Sequence, residues 1–151
     1  MTWEEFKHNS PDLAALGEER FESSGLVLLG TLRKDGWPRI SPVEPLIADG
    51  QLYLGMMWQS RKALDLLRDP RCTVHSTVSN RDASEGEFKV YGRAVDIQDR
   101  GMRRSYGDAL HKKIGFRPEE PEYHLFSVDI ESVAYATIQD NEWVRKLWKT
   151  A

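Results

Sequence analysis

Two Asp-Gly pairs, each lying between two apolar runs, constrain the fold of this chain more than any other feature. Asp35-Gly36 lies between residues 26–32 and 37–47, and Asp49-Gly50 separates that second run from residues 51–57. Asp-Gly is typical of tight β-hairpin turns, because glycine adopts the positive φ that these turns require. The sequence therefore predicts three consecutive antiparallel strands.

Further strand-like segments follow at residues 71–79, 87–97 and 123–138, the last as one long strand or a pair. Three prolines in the run 37–47 predict an edge strand that is bent or bulged, because proline donates no hydrogen bond to a sheet. Helical spacing and capping residues predict helices over residues 11–22, after Ser60, and over residues 100–113. Five or six strands with outer helices favour a mainly β, barrel-like antiparallel fold.

The length of 151 residues, 40% of them hydrophobic, predicts a single domain over residues 1–151. Within it, residues 1–24 are expected to form a helical arm that acts as a lid on the barrel or on a partner subunit. Residues 139–151 form an aromatic C-terminal segment. No internal repeat or low-complexity linker divides the chain.

Charge and cysteine content narrow the function classes. The net charge of −3 gives no support to binding of nucleic acid or of an anionic membrane. There is no apolar run of about 18 residues, and the acidic, polar N-terminus argues against a signal peptide. Cys72 is the single cysteine, so no intrachain disulfide can form, which fits a cytoplasmic protein.

The tripeptide Ser60-Arg61-Lys62 is the strongest candidate binding feature. It precedes a helical run that ends at Asp69-Pro70, so Ser60 is expected to be the N-cap, with its hydroxyl accepting from the first-turn amides. Leu64, Leu67 and Arg68 are expected to share one face of that helix. A hydroxyl, a guanidinium group, an ammonium group and free backbone N–H groups together suit a phosphate. The alternative is a capped surface helix with two solvated cations.

The sequence gives little support to a metal site, a catalytic nucleophile or a nucleotide-binding loop. His8, His75, His111 and His124 do not pair at metal-ligand spacing, so no zinc or other metal site is expected. The chain has neither a nucleophile elbow nor a glycine-rich nucleotide motif. The sequence therefore assigns no catalytic residue.

Four short segments in order resemble the pyridoxamine 5′-phosphate oxidase-like family, the FMN-binding split barrels. They are Asp35-Gly36-Trp37-Pro38-Arg39, Ser60-Arg61-Lys62, Asp69-Pro70-Arg71 and Val90-Tyr91-Gly92-Arg93-Ala94. The resemblance covers about residues 26–138. It implies a split β-barrel homodimer that binds two flavins in grooves between the subunits and acts as an oxidoreductase on a small planar substrate.

By that likeness, Ser60, Arg61 and Lys62 hold the FMN phosphate. Arg39, Ile40 and Ser41 face the ring and the ribityl chain. Met56, Met57 and Trp58 form a wall beside the ring, and Trp143, with Arg145 and Trp148, reaches the flavin of the partner. The alternatives are a surface cation for Arg39, ordinary core for the methionines, and dimer packing for the C-terminal aromatic residues.

Three other functions stay open. The first is a reductase that uses the deazaflavin F-420, whose acidic tail Arg33, Lys34 or Arg61 could meet. The second is a non-catalytic flavin or haem binding protein, and the third is a barrel that has lost its cofactor. We do not infer vitamin B6 oxidation from the resemblance, because the residues that bind pyridoxal phosphate in the true oxidase have no match in this sequence.

Overall fold

The computed structural model describes all residues 1–151 as eight strands and four helices. The strands are β1 (Val27–Leu32), β2 (Pro38–Val43), β3 (Pro45–Ala48), β4 (Gln51–Met57), β5 (Arg71–Ser76), β6 (Glu87–Asp96), β7 (Tyr123–Gln139) and β8 (Glu142–Lys149). The helices are α1 (Trp3–Asn9), α2 (Pro11–Ser24), α3 (Arg61–Arg68) and α4 (Arg100–Ile114). None of these helices combines the length and the apolar character needed to cross a bilayer.

The strands form one antiparallel sheet in the order β2-β1-β5-β6-β7-β4-β3, with β8 paired to β7. Strands β2 and β3 stand at opposite ends of this order, yet only Glu44 separates them in the chain. The sheet must therefore curve until its ends approach each other, which makes a barrel. The predicted fold class, a mainly β split barrel with outer helices, is confirmed.

The N-terminal arm closes the barrel core. Thr2 and Glu5 form a reciprocal capping box that begins α1. Trp3 and Phe6 are almost fully buried, and the ring of Trp3 meets that of Phe88 on β6 at 6.2 Å. The arm is therefore part of the hydrophobic core of its own chain, through large aromatic surfaces.

One strand prediction differs from the structure, and the structure decides between the two alternatives left open for another. The run 37–47 divides into β2 and β3 at Glu44, because Pro45 cannot donate a ladder hydrogen bond. The segment predicted as one long strand or a pair is one continuous strand of 17 residues, Tyr123–Gln139. The backbone of β7 lies close to Gly92 on β6, where the β6–β7 register shifts, so that a Cβ at Gly92 would overlap the carbonyl of Asp129.

The buried face of α3 is not the face that carries Leu64 and Leu67. Its buried residues are Ala63, Asp65 and Leu66, whereas Leu64 and Leu67 are 36% and 48% exposed. Leu64 and Leu67 share one face, as expected, and this face is exposed. Hydrophobic spacing does not indicate that an aspartate is buried. The carboxylate of Asp65 is buried because it has partners on β1 and β2.

Candidate functional site

The N-terminus of α3 presents an unsatisfied polar cluster. Ser60 has the extended backbone of an N-cap, but its hydroxyl makes no capping hydrogen bond, contrary to the prediction. Its Oγ is buried and has no hydrogen-bond partner at all. The first turn of α3 contains no acidic residue, and neither Arg61 nor Lys62 is among the residues that form ion pairs. Free donors and positive charge therefore meet at this point.

A histidine that the sequence analysis did not select fixes the turn that leads into this cluster. Gln59 has a positive φ of 59°, and its backbone N–H donates to Nε2 of His124 at 3.1 Å. The Trp58 ring stacks on the His124 ring, with centroids 4.5 Å apart and planes 13° apart. Burial lowers the pKa of His124, which favours the neutral ring that this hydrogen bond needs. The one available signal was a lone histidine within an apolar strand.

A buried aspartate joins α3 to strand β2. The Asp65 carboxylate, 4% exposed, accepts from Nε of Arg39 at 2.7 Å and from the hydroxyl of Thr31 at 2.8 Å. Burial of Asp65 opposes its ionisation, but the hydrogen bonds from Arg39 and Thr31 outweigh burial and lower the pKa of this carboxyl. Arg39 is thereby held through one nitrogen, and its two other nitrogens stay available. The sequence analysis did not select Asp65 or Thr31.

The other residues predicted on β2 and β4 alternate between the faces of the sheet. Arg39 and Ser41 are half-buried, whereas Ile40 between them is 71% exposed. Met56 lies in the hydrophobic core, and Met57 beside it is 80% exposed. Adjacent strand residues point to opposite faces, so these side chains cannot all face one ligand in a single chain.

A cavity of about 640 Å³ is lined by residues of β4 and of α4. Three predicted site residues line it: Met56, Met57 and Lys62. Trp58 does not, and it borders a separate cavity of about 380 Å³ with His124. The larger cavity has the size of a small-molecule site.

The C-terminal aromatic residues lie elsewhere in the chain. Met57 pairs with Tyr123 at one end of β7, and Trp143 pairs with Ile138 near the other. At about 3.3 Å per residue, these two positions are up to roughly 50 Å apart along the strand. Trp143 is 56% exposed and lies near the Arg145 guanidinium, whereas Trp148 packs on Phe6 at 5.0 Å. One chain therefore does not bring Trp143 to Ser60.

The cluster at Ser60 fits a phosphate group. A buried hydroxyl without a partner, free first-turn amides and two unpaired cations supply the donors that phosphate oxygens accept. A sulfate or carboxylate would meet the same donors. The structure thus has a chemically matched anion site beside a cavity of ligand size.

The antiparallel barrel, with the cationic N-terminus of α3 at its side, defines the class of this protein as a split β-barrel. The family model described as pyridoxamine 5′-phosphate oxidase matches residues 16–136. The chain belongs to that family, which confirms the family expected from the sequence. Comparison with the curated proteins found no match.

Solved structures share the fold at low sequence identity. A protein from Clostridium acetobutylicum, related to general stress protein 26 of B. subtilis and of the pyridoxinephosphate oxidase family, is 20% identical with a TM-score of 0.66, over 91% of this chain and 96% of that one. General stress protein 26 from Bacillus anthracis is 24% identical with a TM-score of 0.58, over 85% and 98%.

A heme binding protein from Mycobacterium smegmatis is 15% identical with a TM-score of 0.65, over 87% of this chain. The chain spans 57% of the length of that protein. Identities this low establish the common fold alone.

Proposed function

We propose that this protein binds FMN through its phosphate at the N-terminus of α3 and acts, as a homodimer, as a flavin-dependent oxidoreductase on a small planar substrate. The observation that carries the proposal is the Ser60 hydroxyl, which is buried without a hydrogen-bond partner beside Arg61 and Lys62. A buried hydroxyl without a partner is unfavourable by about 1–3 kcal/mol, and a bound phosphate oxygen would remove that penalty.

Each residue of the cluster has a defined task in this proposal. Ser60 and the first-turn amides donate hydrogen bonds, and Arg61 and Lys62 neutralise the charge of the phosphate. Asp65 holds the guanidinium group of Arg39 in place on β2, and the two guanidinium nitrogens that Asp65 does not bind stay free for the cofactor. When bound, the flavin supplies hydride transfer, and the protein supplies orientation and electrostatics.

Exposed apolar residues on the outer face of the sheet support the homodimer. Cross-strand pairing puts Leu28, His75, Lys89, Ala134 and Leu147 in one row across β1, β5, β6, β7 and β8. In this row Leu28 is 38% exposed and Leu147 is 82% exposed. A partner that covers this face would remove their apolar surface from water, and Trp143 of the partner is the expected further contact to the cofactor.

The test is the visible spectrum of the purified protein, followed by titration with FMN. The variant Arg61→Ala/Lys62→Ala should weaken FMN binding by at least roughly 100-fold, since each of the two charge-assisted hydrogen bonds is worth about 1.5–3 kcal/mol. The matched control is Arg81→Ala/Lys112→Ala, which removes two exposed cations elsewhere and should leave FMN affinity unchanged.

Parallel titrations with the deazaflavin F-420 and with haem separate the alternatives. Binding of F-420 without FMN would favour the deazaflavin reductase, and binding of haem alone would favour a haem binding protein. If none of the three binds, or if the control variant weakens FMN as much as the Arg61/Lys62 variant does, the proposal is wrong.

A further inference from the structure

The 640 Å³ cavity continues beyond the predicted cofactor residues, between β4 and helix α4. It is lined on one side by Met56, Met57 and Lys62, and at its α4 end by Tyr106, Leu110 and Phe116. Leu110 is 6% exposed and Tyr106 is 4% exposed, whereas Phe116 at the mouth is 57% exposed. The α4 end is therefore an apolar pocket that is open on one side.

One polar group in this apolar wall has no partner within the chain. The Tyr106 hydroxyl lies against Gly55 on β4, where a Cβ would overlap it, and it makes no hydrogen bond to any protein group. Burial, and then the charge of Glu44, raise the pKa of Tyr106 to about 12. The hydroxyl therefore stays protonated at neutral pH and can donate to or accept from a ligand in the cavity.

The charged residues of the cavity are mostly acidic. Glu44, Glu119 and Glu122 line it, and none of the three forms an ion pair. The single cation in the lining is Lys62, which stands at the phosphate cluster. Since a bound phosphate would use that cation, the rest of the lining would then have three carboxylates, all on exposed residues, and no positive charge. An anionic guest would be repelled there, and a cationic one attracted.

We propose that the α4 end of this cavity binds an apolar molecule that carries an ammonium or a neutral hydrogen-bonding group, and that it rejects phosphorylated and carboxylated compounds. The assignment of this guest as the substrate rests on the proposed flavin function, because the cavity shares Met56, Met57 and Lys62 with the cofactor site. The apolar body packs on Leu110 and Phe116, and its polar group meets the Tyr106 hydroxyl and the carboxylates.

Three probes with one aromatic body test this charge preference. Equilibrium dialysis at low ionic strength would measure the binding of 2-naphthylmethylamine, 2-naphthalenemethanol and 2-naphthoate to the protein, with and without FMN. We expect the amine to bind at least about tenfold more tightly than the carboxylate, with the alcohol between them, and the preference to shrink as salt screens the carboxylates.

Matched variants test which residues cause the preference for the amine over the carboxylate. In Glu44→Gln/Glu119→Gln/Glu122→Gln the ratio of amine to carboxylate affinity should fall to about one, with the affinity of the alcohol unchanged. In the control Glu4→Gln/Glu19→Gln/Glu142→Gln, which removes three exposed carboxylates elsewhere, the ratio should stay as in the unmodified protein. Tyr106→Phe should weaken the alcohol and retain the charge preference.

Each remaining outcome decides one of the two proposals. Equal binding of amine and carboxylate, a ratio that survives the cavity variant, or no binding of any probe at millimolar concentration would overturn the cavity assignment. The FMN titration is read separately, by flavin absorbance. Failure of FMN to bind while the amine preference holds would refute the flavin function and retain the cation-selective cavity.

Discussion

The buried pair between Arg39 and Asp65 predicts a large and asymmetric effect of mutation. Arg39→Ala leaves the Asp65 carboxylate, 4% exposed, with the Thr31 hydroxyl and a long contact to Arg68 at 3.4 Å. Breaking a fully buried pair is destabilising by about 3–5 kcal/mol. Because the Arg39 side chain is 30% exposed and water screens the pair, we expect the free energy of unfolding to fall by about 2–3 kcal/mol.

Urea unfolding at pH 7, followed by circular dichroism, measures this loss. The matched control is Arg71→Ala, because Arg71 meets Asp69 at the same 2.7 Å but is 61% exposed, so its removal should change stability little. The pKa of Asp65 is lowered in the folded protein, so its contribution is present above about pH 4 and is lost as the pH falls further. Equal losses in the two variants, or a difference that does not shrink as the pH falls below about 4, would refute this account of the pair.

Three further predictions follow from single contacts. Burial lowers the pKa of His124, so stability should fall as the pH drops below about 6.5, and His124→Gln should lose that dependence in unfolding experiments at several pH values. Gly55→Ala forces a Cβ onto the Tyr106 hydroxyl and should be destabilising by about 1–3 kcal/mol in urea unfolding, whereas Gly30→Ala, with its nearest neighbour at 3.7 Å, should show no such clash. Leu147→Glu puts a charge on the exposed row and should shift the proposed dimer to monomer in sedimentation equilibrium; an unchanged mass would remove this residue from the interface.

The sequence was sufficient to predict the barrel, because the features that indicate it involve residues close together in the chain. The Asp-Gly turns specify hairpins within a few residues, and Gln51–Met57 begins and ends where the sequence predicts. Thr2 and Glu5 likewise specify the start of α1 through a contact three residues apart. Such features depend on the backbone preferences of neighbouring residues, and a single sequence contains those preferences in full.

The contacts that hold the site residues in place could not be predicted, because they join residues that are distant in the chain. Asp65 is buried through Arg39 and Thr31, 26 and 34 residues away, and hydrophobic spacing does not indicate this burial. His124 holds Gln59 from 65 residues away. Tyr106 meets Gly55 only because α4 packs beside β4. Each of these contacts depends on the completed barrel.

The thermodynamic cycle between FMN and riboflavin tests the central claim most directly, because the two ligands differ only by the phosphate. Isothermal titration would compare both ligands in the unmodified protein and in Arg61→Ala/Lys62→Ala. The account predicts that FMN binds at least about 100-fold more tightly than riboflavin, and that most of this difference disappears in the variant while riboflavin affinity stays the same. Equal affinities for the two ligands, or a phosphate preference that survives loss of both cations, would contradict a phosphate site at the N-terminus of α3.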